Sequence, residues 1–118
     1  QLEQNRVVTL CPDQQPRLRG GDFVDYFGVP ALTSRFLAQL VQRQQNQTGI
    51  VFGVCIREGS RFRLHFHPCQ PAESADHVKV LEAINQQLEH IVCRHAEQYR
   101  WRDKRLNIRP PGSPRLYR

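Results

Sequence analysis

The run from Ile50 to Ile56, "IVFGVCI", constrains the fold more than any other stretch, because it has no polar face. A strand that is apolar on both sides needs cover on both sides, as in a sheet lying between other layers. "REGS" then turns the chain into "RFRLHFH", where Phe62, Leu64 and Phe66 alternate with Arg61, Arg63, His65 and His67. That alternation predicts a half-buried second strand and, with the first, a hairpin.

The remaining elements follow from period and punctuation. Asp76 or Ser74 is placed to cap a helix running to about His95, with Val80, Leu81, Ile84, Leu88, Ile91 and Val92 at helical spacing. Thr33 or Ser34 is expected to cap another through about Gln45, with Phe36, Leu37, Leu40 and Val41 on one face. Upstream, "RVVTL" at Arg6 to Leu10 reads as a buried strand stopped by Pro12, and "QLEQN" before it as the end of a helix, a start that suggests a piece of something longer. Phe23, Val24, Tyr26 and Phe27 form an aromatic patch before Gly28 and Pro30 turn the chain. The order is strand, loop, helix, hairpin, long helix and basic tail: one α/β domain of 118 residues.

Charge is unevenly placed. The net +6 resides wholly in residues 94–118, because Lys and Arg balance Asp and Glu before them. A localised basic segment points to an anionic partner without naming it. Cys11, Cys55, Cys69 and Cys93 are widely spaced with no Cys-x-x-Cys pair, which predicts free thiols.

Few residues pattern as chemistry. His65, His67 and Cys69 share one face of an extended chain, as metal ligands would, but Pro68 interrupts them and no fourth ligand is evident, so a solvated face is expected. His77 and Glu82 have four residues between them, yet positions five apart on a helix point well away from each other. "NQT" at Asn46 to Thr48 matches a glycosylation acceptor by pattern alone. The loop "PDQQPRLRGG" is richer. Asp13 and Gln14 follow an expected strand end, Arg17 and Arg19 offer fork-shaped donors to phosphate, and Gly20 and Gly21 allow close backbone approach. An ordinary surface loop would have the same composition.

Two longer blocks resemble a known family. "PDQQPRLRGGDFVDYFGVPALT" resembles the "DQ... GG-x-FV-x-FFG-x-PA-x-T" block of the lipid A biosynthesis lauroyl/myristoyl acyltransferases, the late acyltransferases of lipopolysaccharide synthesis. "HAEQYRWRDKRLNIRPPG" resembles that family's carboxy-terminal signature, with Ala96 in place of the usual Pro and Leu106 and Asn107 where Phe and a basic residue are common. The resemblance implies the C-terminal half of such an enzyme, part of a layered mixed sheet with flanking helices like that of the glycerol-phosphate acyltransferases. It implies transfer of a fatty acyl group from acyl carrier protein to a lipid A precursor, at the cytoplasmic face of the bacterial inner membrane and without a metal or other cofactor.

The family's catalytic His, followed after four residues by Glu or Asp, lies upstream of the DQ block, and no His precedes Asp13. The 118 residues alone are therefore expected to be inactive. The resemblance places Asp13 and Gln14 at the cleft, with Asp13 in a supporting role, and Arg17, Arg19, Gly20 and Gly21 towards lipid phosphate or the acidic carrier protein. It places Trp101, Lys104, Arg105 and Arg109 at the headgroup region of the membrane surface. Simple packing of Tyr99 and Trp101 against the core is the plainer account of those rings. An unpaired sheet edge would favour self-association. A small nucleic-acid-binding domain, stacking bases on Tyr99, Trp101 and Tyr117, is the rival expectation; a noncatalytic interaction module is a third.

Overall fold

The computed structural model describes residues 7–43, 49–70 and 76–117. Two antiparallel hairpins and two helices make up the described α/β domain: β1 (Gly21–Tyr26), β2 (Val29–Ser34), α1 (Arg35–Arg43), β3 (Ile50–Glu58), β4 (Arg61–Cys69) and α2 (His77–Arg94). Single 3-10 turns at Leu18–Gly20, Ala96–Gln98 and Trp101–Asp103 shape the loop before β1 and the tail.

The long helix is the centre of the molecule. Asp76 caps it by accepting from the Val78 amide at 2.9 Å, and Val80, Leu81, Ile84, Leu88, Ile91 and Val92 are buried along one face. Val24 and Tyr26 of β1, Ala38 and Val41 of α1, and Phe52 and Cys69 of the second hairpin complete that core. In α1 the inward stripe is Leu37, Ala38 and Val41, while Phe36 is half exposed. Phe36 lies roughly 200° around the helix from Ala38, so the expected position of its ring on the buried face is corrected.

The first hairpin replaces what the sequence suggested was only a turning aromatic patch. Tyr26 pairs with Val29, leaving Phe27 and Gly28 as a two-residue turn in which both have positive φ, 55° and 72°. That is the geometry of the tight turns whose twist matches their strands. The Asp25 carboxylate accepts from the Gly28 amide at 3.2 Å and the Glu89 carboxylate from the Phe27 amide at 2.8 Å, holding Phe27 in a conformation usually left to Gly or Asn. Pro30 is tolerated because β2 pairs on one side only. Thr33 and Ser34 accordingly belong to β2.

Two further expectations are overturned. Val7–Leu10 forms no strand and Val7 is 90% exposed, no strand lying beside it among the described residues; Arg6 and the preceding "QLEQN" lie outside the described residues, as do Gln45, Ser74 and the "NQT" site. In β4 the alternation is present with its faces exchanged. His65 and His67 are half-buried and Cys69 buried, whereas Phe62, Leu64 and Phe66 are 62%, 63% and 67% exposed. Register explains it: His67 pairs with Phe52 and His65 with Val54, and this is the side on which Phe52 and Ile56 are buried. The histidines are thus not the solvated face. The domain measures 44 × 43 × 21 Å, thin enough for two layers only, so the other side of this hairpin has nothing over it among the described residues.

Phe52→Ala is expected to cost about 3–5 kcal/mol by urea unfolding, as for a buried ring. Phe66→Ala should cost under about 1 kcal/mol, the scale of a cross-strand pair.

Candidate functional site

The two sequence blocks meet at Arg105, which is 4% exposed. A left-handed Lys104 (φ 45°) after the last 3-10 turn directs the chain back under the first hairpin. There the Arg105 guanidinium donates to the Gln14 carbonyl (3.3 Å), the Leu32 carbonyl (3.5 Å), Thr33 Oγ1 (3.2 Å) and Asn85 Oδ1 (3.2 Å). Gln15 Nε2 donates in return to the Arg105 carbonyl at 3.0 Å. The guanidinium also lies 5.3 Å from the centroid of the Tyr26 ring.

Thr33 and Asn85 extend this contact into a buried polar network. Asn85 Nδ2 donates to Thr33 Oγ1 at 3.1 Å and to the Asp25 carbonyl at 2.9 Å, and Thr33 Oγ1 donates to the Ala31 carbonyl at 3.1 Å. Asn85 did not stand out in the sequence, and Thr33 did so only as a candidate helix cap. The available signal was one amide among the apolar positions of α2, at a place where helical spacing demanded burial.

Arg109 donates to the Pro30 carbonyl at 2.7 Å, a second tie from tail to β2. Gln98 copies a strand partner: its amide donates to the Arg57 carbonyl (3.1 Å) and accepts from the Arg57 amide (2.8 Å), tying the tail to β3 as well. Trp101 is 58% exposed, its indole N–H donating to the Ala96 carbonyl at 2.8 Å and its ring meeting Tyr99 edge-on at 4.8 Å. Lys104 is exposed, with its ammonium 5.9 Å from the Tyr117 ring centroid.

The loop contributes differently residue by residue. Asp13 is partly buried, close enough to act electrostatically on Tyr26, Tyr99 and Arg105. Arg17, just before the 3-10 turn, and Arg19 and Gly20 on it are exposed. Gly21 is small for the sake of the fold: a Cβ there would sit 2.7 Å from the Thr33 carbonyl oxygen and 2.8 Å from Pro16 Cγ. The close approach expected of this glycine is to its own chain.

Burial drives the titration of the cluster. It raises the Tyr26 phenol far above its ordinary value, with Tyr99 adding to the effect, and raises the Tyr99 phenol too. It lowers Arg105, against the pull of the two tyrosines and Asp13. A half-open pocket of about 190 Å³ lies beside these groups, between the β1–β2 turn and the tail.

His77 begins α2 and is 3.2 Å from Asp22 Oδ2, not paired with Glu82. Arg35 Nε donates to the same oxygen at 2.9 Å, and this bond, with the charges of Arg35 and His77, holds the Asp22 carboxyl below its ordinary value. His65 stacks on His67 at 6.3 Å and lies 5.8 Å from His95, but among the described residues no three His, Cys, Asp or Glu side chains converge to hold a metal ion. All four cysteines are free.

A sequence-family model described as bacterial lipid A biosynthesis acyltransferase matches residues 1–107. Two curated relatives, each 24% identical over 98% of the chain, are a lipid A biosynthesis palmitoleoyltransferase of Escherichia coli (strain K12) and a lipid A biosynthesis acyltransferase of Shigella flexneri. The chain spans 38% of the length of either.

Replacing Arg105 by Lys, which keeps the charge and loses the fork, is expected to cost on the order of 2–3 kcal/mol in urea unfolding. Because the folded Asp22 carboxyl titrates below its ordinary value, the stability it adds is complete above about pH 4 and lost as pH falls through the folded value. Asp22→Asn should therefore flatten the acid limb of thermal stability against pH, and an unchanged limb would show that other carboxylates set it.

Proposed function

Because the chain belongs to the bacterial lipid A biosynthesis acyltransferase family, we propose that these residues form the acceptor-holding part of an enzyme that acylates a lipid A precursor, with acyl carrier protein as donor and no metal or cofactor. The observation that carries this reading is the junction at Arg105. Gln14 and Gln15 of the DQ block and the carboxy-terminal signature, about 90 residues apart, touch through a buried guanidinium and become one surface. Arg105 is the tie within that surface, its charge directed at protein acceptors. The groups left for a phosphorylated acceptor are the exposed Arg17, Arg19, Lys104 and Trp101, with Asp13 and Gln14 proposed to line the cleft. Arg109 supports the same tail through β2.

The 118 residues supply binding and not chemistry, since no His precedes Asp13 and His77 is engaged with Asp22. Cationic and aromatic side chains together suit the phosphate and headgroup level of a membrane, consistent with work at the cytoplasmic face of the inner membrane. No described helix is long and apolar enough to cross one. The exposed Phe62, Leu64 and Phe66, opposite a core-facing side, support a layered sheet like that of the glycerol-phosphate acyltransferases, in which both faces of β3 and β4 are covered.

Sedimentation with vesicles tests the reading. The chain should pellet with vesicles containing a phosphorylated lipid A precursor and remain in solution with phosphatidylcholine alone, and it should transfer no acyl group from acyl carrier protein in either case. Indifference to the precursor combined with tight, salt-sensitive binding of single-stranded nucleic acid would overturn it.

A further inference from the structure

We infer that the free edge of β3 docks a second copy of this chain, the two β3 strands pairing antiparallel about a two-fold axis at Gly53. Arg57 shows which way that edge faces, because its N–H and C=O are bonded to the Gln98 side chain and not to β4. Backbone groups alternate in direction along a strand, so those of Cys55, Gly53 and Val51 point the same way as those of Arg57. All three residues are exposed, and among the described residues β4 is the only strand beside β3. A row of unpaired donors and acceptors of this kind is a template for another strand. Gln98 already occupies one position of the row as a strand would, and closes it at that end. In β2 and β4, by contrast, Pro30 and Pro68 remove an N–H and blunt the edge.

Symmetry and charge select a second copy as the occupant. Val51 and Cys55 are equally far from Gly53, so reversal about Gly53 sets each Val51 opposite Cys55 of the other copy, and every open N–H and C=O gains a partner. The stretch is uncharged, so two chains of net charge +6 meet there with no like charges opposed. Val51 and Cys55 share the exposed side of the hairpin with Phe62, Leu64 and Phe66, their cross-strand neighbours, so the seam runs between apolar side chains. Gly53 keeps its centre open, with the Phe66 ring 3.6 Å from where a Cβ would stand. One strand pair is a small interface, so a weak dimer is expected, with Kd on the order of 10 µM.

Sedimentation velocity of the 118-residue protein from about 1 to 500 µM should show a reversible monomer–dimer equilibrium. Gly53→Lys sets two ammoniums opposite each other at the axis and should weaken the dimer at least about tenfold. Its far-UV circular dichroism should be unchanged, since the added Cβ meets the Phe66 ring at an ordinary contact distance. Cross-linking reads the register, with the exposed Cys11 and Cys93 first changed to serine. Cα atoms of such a hydrogen-bonded pair lie about 5.5 Å apart, within disulfide reach, so Val51→Cys should give a covalent dimer through Cys55 on mild oxidation. With Val51 retained, the two Cys55 thiols stand about 13 Å apart along the seam and should not cross-link. A protein monomeric throughout the range, a dimer unaffected by Gly53→Lys, or equal cross-linking with and without Val51→Cys would each overturn the pairing. The pairing draws on nothing in the acyltransferase reading, so these measurements and vesicle sedimentation fail separately.

Discussion

A guanidinium with almost no access to water holds this domain together. Burying Arg105 is costly unless its donors are used, and the fold uses those of the two terminal nitrogens on groups from three places: the Gln14 carbonyl in the loop, Leu32 and Thr33 on β2, and Asn85 on α2. Fork geometry is what makes one side chain able to do this, since an ammonium could not span the same acceptors. The tail then has a fixed course, and Gln98 and Arg109 fasten it on either side of the clamp. The candidate site exists because this contact brings the tail against the DQ loop and the first hairpin.

The rest of the molecule is arranged on one side. Helix α2 supplies a continuous apolar face, and both hairpins pack towards it, so their inward residues are settled by what they meet. His65 and His67 are on that side because register places them opposite Val54 and Phe52, and their partial burial leaves Phe62, Leu64 and Phe66 outward. A pattern of that kind is expensive in a lone two-layer slab and ordinary in a sheet between layers.

How far the sequence could be read depended on whether a feature was local. Periodicity located α2 and its buried positions, and the apolar run located β3, because each signal lies within one element. The first hairpin escaped because its turn is Phe27-Gly28 rather than Asn-Gly or Asp-Gly, and because a proline stands in β2. Which side of β4 faces inward is a property of its neighbours, and alternation alone cannot supply it. The blocks that make the site were legible as blocks. Arg105 reads from sequence as one more phosphate-facing cation because charge is visible there and burial is not; for the same reason Thr33 reads only as a helix cap and Asn85 not at all.

The central claim, that loop and tail form one unit through Arg105, is tested most directly by a double-mutant cycle on unfolding free energy between Gln15→Ala and Arg105→Lys. Each change loosens a different tie between the same two segments. A coupling of roughly 0.5–3 kcal/mol is the result the account predicts, and additivity within about 0.3–0.5 kcal/mol would contradict it.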